Sequence, residues 1–377
     1  MKTRHLILAG FAAGTCALAA PALARDTLHI VGSSTVYPFS TAVAENFGAQ
    51  TKFPTPIVES TGSGGGMKLF CAGVGENTPD ITNASRRMKA SEWKTCHNNG
   101  VTQIVEVKVG YDGIVIANGI HAPAFNLTLK QVFLGLAAQI PVADDNCVLK
   151  DNPYTKWSQI DPSLPDEKIE VYGPPPTSGT RDAFVEVAME KGAKHIPCLK
   201  ALRGAKPGDA TYQKIVPLLP GGLGKKADGT PLAGKKIFKH IAHLLREDGA
   251  WIDAGENDNA IVQTLEKTPA ALGIFGFSYL DQNGDQIKGA VVDGEEPSFE
   301  NIASGAYPVS RDLFFYVKKQ HTDLVPGIPE FVAEFTSEDT WGEFGYLGDK
   351  GLIPLPEEDR TRIGENARAL TVMTKSP

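Results

Sequence analysis

The sequence is short of the features that mark several large protein classes. Its 377 residues include only five cysteines, and no Cys-x-x-Cys pair that would suggest a zinc module. Its 37 basic residues do not outnumber its 44 acidic ones, whereas a protein that binds nucleic acid or a membrane surface is normally basic. Beyond the N-terminus there is no apolar run of the roughly 20 residues that a membrane helix needs. We therefore expect a soluble globular protein without a nucleic-acid partner.

Residues 1–24 have the pattern of a secretory signal peptide. Two basic residues near the start precede an uncharged run at 6–20, and Ala-Leu-Ala at 22–24 fits a cleavage site. A membrane anchor is one alternative, but the run is short for a span. A lipoprotein is another, although the leucine usual before a lipidated cysteine is absent ahead of Cys16. We predict export to the periplasm, with a net charge of −9 on the processed chain.

About 350 residues remain after processing, which is more than one ordinary core and indicates two domains. Four cysteines remain as well, an even number that favours disulfides in an oxidising compartment. Four cysteines allow three pairings, and four reduced, buried thiols are the alternative. We favour Cys71–Cys96 and Cys147–Cys198, because each bridge then stays within one lobe.

Short β-rich runs alternate with helical patterns, which predicts α/β layers. The predicted strands are at 27–31, 57–60, 104–109, 113–118, 169–172, 273–277 and 313–318. Loop-rich stretches lie near 141–166 and 204–234. Asn283-Gly284 predicts a hairpin turn between 277–280 and 287–292. The segment around Asn283-Gly284 also weakly resembles a calcium-binding loop, but the glycine and the distal glutamate do not have the spacing that such a loop requires.

The informative pattern is a strand followed by a turn rich in Ser, Thr and Gly and then by a helix. It occurs three times, with the turns GSSTVYP at 32–38, TGSGGG at 61–66 and GPPPTSGTR at 173–181. Pro38 suits the first turn of a helix. Free N–H groups and the helix dipole make such a start suitable for a tetrahedral oxyanion. Ordinary N-capping by Ser or Thr is the alternative for any single turn. Three turns in alternating order favour a shared anion site.

Two arginines near these turns can form bidentate hydrogen bonds to an oxyanion. They are Arg86, which follows a serine, and Arg181, at the end of the third turn. Pairing with a neighbouring acid is the alternative for each. We expect Arg87, beside the first of them, to face solvent.

These turns, together with NIASGAYP at 301–308 and the Ser-Arg pair at 310–311, resemble the periplasmic phosphate-binding proteins of high-affinity phosphate ABC transporters. The resemblance extends from about residue 28 to about 320. It implies a two-lobed α/β periplasmic binding protein fold of type II-like form, in which each lobe is a mixed sheet flanked by helices. Lobe 1 would comprise 25–114 and 275–377, and lobe 2 would comprise 115–274. Hinge strands are expected near 111–117 and 272–276.

The resemblance also implies the function and the site. The protein would capture inorganic phosphate and deliver it to the membrane permease of an ABC importer, as a monomer without catalytic activity, metal or other cofactor. From the turns and the resemblance together, the expected phosphate-binding residues are Ser34, Thr35, Val36, Ser63, Arg86, Ser178, Gly179, Thr180 and Arg181.

The sequence departs from the family pattern at two positions. Arg86 stands where family members carry an aspartate that accepts the proton of hydrogen phosphate, and Pro174 stands where they carry an arginine. This acceptor distinguishes protonated phosphate from sulfate. The carboxylates that can replace it are Glu59, Asp80, Asp112 and Asp182.

The main competing predictions are a secreted phosphatase, a binder of another tetrahedral oxyanion, and a structural or adhesive surface protein in which the turns only cap helices. A nucleophilic serine needs an oriented base, and none of the turn serines lies in a Gly-x-Ser-x-Gly elbow. His240 and His243 are close enough for a metal, but a solvated helix face is favoured because no carboxylate motif accompanies them.

Overall fold

The computed structural model describes residues 25–255 and 257–377. The predicted signal peptide lies outside these residues. Within them, no helix has both the length and the apolar character needed to cross a membrane.

A nine-stranded mixed sheet, together with two small two-stranded sheets, forms the β-structure of the described chain. Its strands are β1 (His29–Gly32), β2 (Ile57–Ser60), β3 (Ile81–Ala84), β4 (Ile104–Gly119), β5 (Asn126–Leu127), β6 (Gln139–Ala143), β7 (Asn146–Asp151), β8 (Val171–Gly173), β9 (Trp251–Asp253), β10 (Leu272–Gly276), β11 (Ile287–Gly289), β12 (Val291–Val292) and β13 (Ser310–Lys318). The large sheet has the order β2-β1-β3-β13-β4-β10-β8-β9, and β11 also pairs with β4.

Helices pack against the strands of the large sheet on both sides of β4. They are α1 (Tyr37–Gln50), α2 (Gly62–Phe70), α3 (Ala90–Asn98), α4 (Leu129–Leu136), α5 (Gly179–Phe184), α6 (Glu190–Lys194), α7 (Pro197–Gly204), α8 (Ala210–Ile215), α9 (Gly234–His243), α10 (Asp258–Lys267), α11 (Phe277–Gln282), α12 (Phe299–Ser304), α13 (Ile328–Phe335), α14 (Glu338–Trp341) and α15 (Glu357–Arg368). A π-helical turn, Val185–Met189, joins α5 to α6.

Strand β4 connects the two parts of the sheet. Nine of its first ten residues pair with β13, with Val109 left unpaired at an irregularity, and the four residues from Ile114 to Ala117 pair with β10. On one side of β4 lie the parallel strands β1, β2 and β3, and on the other lie the parallel strands β8, β9 and β10. The chain therefore has the two-lobed α/β architecture expected from the sequence. The lobe boundaries at 114/115 and 274/275 stay a prediction.

The length of β4 corrects the two strands predicted at 104–109 and 113–118. They form one strand of 16 residues. The glycines at 110 and 113 suggest a break, but both face a neighbouring segment at close range. A Cβ on Gly110 would lie 2.5 Å from the carbonyl oxygen of Ile353, and one on Gly113 would lie 2.6 Å from Ile302. These glycines allow close packing without ending the strand.

The hairpin predicted around Asn283-Gly284 is wrong. The residues before it form helix α11, not a strand, and bury Phe277 and Leu280 three positions apart on one face. Asn283 ends this helix and donates a side-chain hydrogen bond of 2.8 Å to the carbonyl of Tyr279. Burial of the apolar face therefore overrides the local turn signal. The loop-rich stretch predicted at 141–166 also contains most of the β6–β7 hairpin.

Both predicted disulfides are present. Cys71–Cys96 joins the end of α2 to α3, with 4.2 Å between the Cα atoms. Cys147–Cys198 joins β7 to α7, with 5.5 Å between the Cα atoms. The bridges span sequence separations of 25 and 51 residues, and each stabilises the fold mainly by restricting the unfolded chain.

Candidate functional site

The first Ser/Thr turn leaves the end of β1 at Gly32. This glycine has a φ of +133°, and a Cβ there would lie 2.2 Å from the carbonyl oxygen of Asn83, so no other residue fits without strain. The next residues lead into α1, which has Pro38 in its first turn as predicted. Val36 precedes the helix without a side-chain cap. The turn therefore brings Ser34 and Thr35 to the end of the strand without ordinary N-capping.

The third turn lies directly against the first. Ser178 caps α5 by accepting a hydrogen bond of 3.2 Å from the backbone N–H of Thr180. A Cβ on Gly179 would lie 3.2 Å from the carbonyl oxygen of Ser34. The structure thus brings together two turns that are about 140 residues apart in the sequence.

These two turns line a cavity of about 590 Å³, which we call the hydroxyl cavity. Many of its lining residues carry hydroxyls, three are acidic and one, Lys350, is basic. Its lining includes Ser34, Thr35, Ser178, Gly179, Thr180, Asp112, Asp258 and Asp349.

The second turn lies in a neighbouring cavity of about 450 Å³. Ser63 is in the first turn of α2, and its hydroxyl lies 3.1 Å from both the hydroxyl and the backbone N–H of Ser85. Thr61, which precedes α2, makes no side-chain cap. We call this space the cationic cavity, because eight basic side chains line it: Arg86, Lys89, Lys191, Lys194, Arg203, Lys235, Lys239 and Arg311.

Arg311 connects the two cavities. Its side chain is 10% exposed, and it donates hydrogen bonds of 3.1 Å to Asp112 and 3.1 Å to Glu186. Its third contact is a hydrogen bond to the hydroxyl of Thr35. A guanidinium thus lies among the predicted anion-binding turns, held by a carboxylate on each side. The sequence singles out residue 311 only as part of the late family-like segment.

The two arginines predicted for the site have other partners. Arg86 lines the cationic cavity, but it forms a bidentate ion pair with Glu92 at 2.7 and 2.9 Å. Arg181 donates to Asp253 at 2.6 Å and stacks over the ring of Trp251 at 5.1 Å. Its guanidinium lines neither cavity. Arg87 is half exposed and pairs with Glu106 outside both spaces.

One of the four carboxylates considered as a proton acceptor lies in the hydroxyl cavity. It is Asp112, the partner of Arg311. Asp80 is fully buried elsewhere, paired with Arg25 and His321. Glu59 lies beside His29, and Asp182 is exposed on α5.

Glu190 is the more buried of the two acids in the cationic cavity. His243 and Lys239 each approach its carboxylate to 2.8 Å. Burial alone would raise the pKa of Glu190, but these two hydrogen bonds lower that pKa to about 2. His243 therefore has a carboxylate neighbour that the sequence does not predict.

The two-lobed architecture on a shared strand, with two hydroxyl-rich turns lining one cavity and Arg311 in contact with the first of them, is the arrangement of a solute-binding protein. Residues 18–339 match a family model described as a PBP superfamily domain. The chain belongs to this family of substrate-binding proteins, and the resemblance stated from the sequence is confirmed.

Individual relatives are similar along most of their length. The protein SphX from Synechocystis sp. is 29% identical over 360 residues, which cover 94% of this chain and 84% of that protein. The phosphate-binding protein PstS from Staphylococcus saprophyticus is 25% identical over 339 residues, covering 88% and 81%. The crystal structure of "a possible phosphate binding protein" from Planctomyces limnophilus has a TM-score of 0.66 and 26% identity, covering 92% of this chain and 98% of that one.

Proposed function

We propose that this protein captures inorganic phosphate between its two lobes in the periplasm and delivers it to the permease of an ABC importer. The observation that carries the proposal is the contact of Arg311 with both Thr35 and Asp112 between the cavities. A tetrahedral oxyanion accepts hydrogen bonds from guanidinium, hydroxyl and backbone N–H donors, and all three kinds are present here. The names of the PstS and Planctomyces relatives support phosphate as the ligand.

The proposed ligand-binding groups come from all three turns. We add Arg311 to the predicted set. In that set, Arg181 contributes indirectly by stabilising the first turn of α5, and Arg86 contributes as a residue that lines the cationic cavity. The predicted set is Ser34, Thr35, Val36, Ser63, Arg86, Ser178, Gly179, Thr180 and Arg181. The lobes that close on the anion would be residues 25–114 with 275–377, and residues 115–274.

Asp112 is the proposed acceptor of the phosphate proton. It lines the hydroxyl cavity, and Arg311 keeps its carboxylate oriented. Sulfate has no proton at neutral pH, so it would face this carboxylate without a hydrogen bond. This assignment gives selectivity for phosphate without the aspartate that the family carries at the position of Arg86.

Titration calorimetry on protein stripped of bound anion tests the proposal, with phosphate, arsenate, sulfate and small phosphonates as ligands. We expect micromolar or tighter binding of phosphate, which corresponds to at least about 8 kcal/mol. At a hundred times its dissociation constant, phosphate should raise the free energy of unfolding by about 2.7 kcal/mol. Sulfate should raise the free energy of unfolding by much less. Equal binding of sulfate, or no binding of phosphate, would contradict the proposal.

The matched variant is Asp112→Asn, which keeps the size of the side chain and removes its charge. It should narrow the preference for phosphate over sulfate. Monomeric behaviour and the absence of phosphatase activity belong to the same proposal. They are checked by light scattering with and without phosphate and by incubation with a generic phosphate ester, which should remain intact.

A further inference from the structure

The cationic cavity extends well beyond the predicted phosphate contacts. Ser63, Ser85 and Arg311 lie together at one part of its wall, and the cavity continues along α6, α7 and α9. Its volume of about 450 Å³ lies within the about 300–1,000 Å³ that pockets for larger ligands occupy. Orthophosphate has only five non-hydrogen atoms. The cavity therefore has room for more than one phosphoryl group.

The charge of this cavity is opposite to that of the protein. Eight basic side chains line it against two acidic ones, Glu186 and Glu190, although the whole chain carries a net charge of −7. Three of the eight already have acidic partners: Arg86 with Glu92, Lys239 with Glu190, and Arg311 with Asp112. Within the described chain, the other five form no ion pair; they are Lys89, Lys191, Lys194, Arg203 and Lys235.

These five cations crowd one another. Burial, together with the charge of Arg203, lowers the pKa of Lys194. Burial and the neighbouring Arg86 lower the pKa of Lys89, and Lys235 acts on it in the same direction from α9. The Nε atom of Arg203 is buried, and no group in residues 25–255 and 257–377 accepts its hydrogen. A buried donor without an acceptor is costly, and Arg203 is one of the lining cations without an ion-pair partner in the described chain.

We propose that the cationic cavity is a second anion subsite, continuous with the phosphate site, so that the cleft binds ligands with two or more linked phosphoryl groups. Linear condensed phosphates have this chemistry. One terminal phosphoryl group lies at Arg311 and Ser63, and the next ones extend toward Lys194, Arg203 and Lys235. This inference rests on the proposed function, because it uses the phosphate site as the first of the two subsites.

Calorimetry with metal-free orthophosphate, pyrophosphate and tripolyphosphate tests this inference on the processed chain. The test variant is the double substitution Lys194→Gln with Lys235→Gln. The control is Lys200→Gln with Lys214→Gln, which removes two exposed lysines of the neighbouring helices α7 and α8 that do not line the cavity. We expect the wild type to bind tripolyphosphate no more than tenfold more weakly than orthophosphate. The test variant should lose at least tenfold in tripolyphosphate affinity and at most twofold in orthophosphate affinity.

Two results would overturn the subsite. One is wild-type binding of tripolyphosphate that is more than tenfold weaker than that of orthophosphate. The other is a test variant whose losses of affinity for tripolyphosphate and for orthophosphate differ by less than threefold. Such a result would mean that the lysines only attract anions in general, because a non-specific electrostatic attraction acts on both ligands. The orthophosphate arm tests the proposed function separately. Binding of tripolyphosphate without orthophosphate would refute that function and leave the polyanion site in place.

Discussion

The two cavities on either side of Arg311 use different chemistry for the same kind of ligand. The hydroxyl cavity offers neutral donors from Ser34, Thr35 and the start of α5, beside three carboxylates and a single basic residue, Lys350. The cationic cavity offers eight basic side chains and two carboxylates. Neutral donors have fixed directions and act at short range. Cations act over roughly 8–10 Å at ordinary ionic strength and are screened by salt.

The difference indicates a division of tasks. The hydroxyl cavity can recognise the shape and protonation state of an anion, because its donors and Asp112 occupy defined positions. The cationic cavity supplies attraction that the protein as a whole lacks, since its net charge is −7. A protein that is acidic overall can therefore bind an anion through local groups. Substitutions at Arg311, beside the hydroxyl cavity and in the cationic cavity can therefore separate these tasks.

Arg311→Ala should have the largest effect, because Arg311 lines the cationic cavity and also contacts Thr35 and Asp112 of the hydroxyl cavity. The substitution removes hydrogen bonds of about 1.5–3 kcal/mol each to the anion and leaves Asp112 without its cation. We expect the dissociation constant for orthophosphate to rise by about 100-fold in calorimetry. Arg311→Lys should restore only part of the affinity, because lysine lacks the planar fork.

The control for this prediction is Arg362→Ala. Arg362 is an exposed arginine that pairs with Asp359 on α15 and lines neither cavity, and its replacement should leave affinity unchanged. Thermal unfolding of both variants separates a binding defect from a folding defect. An Arg311→Ala protein that folds and binds phosphate within threefold of wild type would remove this residue from the site.

Arg181→Ala tests the hydroxyl side and should have a smaller effect. The guanidinium holds Asp253 and covers Trp251, so its loss loosens the start of α5 without removing a direct contact to the ligand. We expect orthophosphate affinity to fall by about threefold. Arg87→Ala is the control, because Arg87 pairs with Glu106 outside both cavities. A loss as large as that of Arg311→Ala would mean that Arg181 binds the anion directly.

Much of this site could be predicted from the sequence, because its turns are local. A strand end, a run of Ser, Thr and Gly, and a helix start lie within ten residues of one another, and physical rules for turns and helix ends apply at that distance. The same reasoning could not identify the cation between the turns. Arg311 meets Asp112 and Thr35 across separations of 199 and 276 residues. Only the pairing of β13 with β4 and β3 makes them neighbours.

The incorrect hairpin prediction has a related cause. Asn283-Gly284 is a strong local turn signal, but the burial of Phe277 and Leu280 determines the structure around it. Arg86 is predicted for the site because it follows a serine, and the fold gives it Glu92 on α3 as an ion-pair partner. Local rules thus predict where a backbone turns. Which charged side chains remain available to a ligand depends on partners that the fold supplies.

Glu190→Gln tests the cationic side and should have the smallest effect on orthophosphate, less than twofold. Its main effect is on stability. The pKa of Glu190 is held at about 2, below its ordinary value of 4.5, so the carboxylate stabilises the fold above pH 4.5 and loses this contribution as the pH falls toward 2. After discounting for solvent screening, we expect the variant to be less stable by about 1–2 kcal/mol at pH 6. In urea unfolding at pH 6, 4 and 3, the difference in free energy of unfolding between the variant and the wild type should become smaller at each lower pH.

The control is Glu247→Gln, at an exposed acid in the same predicted lobe. This variant should have the same free energy of unfolding as the wild type at each of these pH values. If the stability difference between Glu190→Gln and the wild type stays constant down to pH 3, Glu190 stabilises the cationic cavity by packing and not by its ionic contacts with His243 and Lys239.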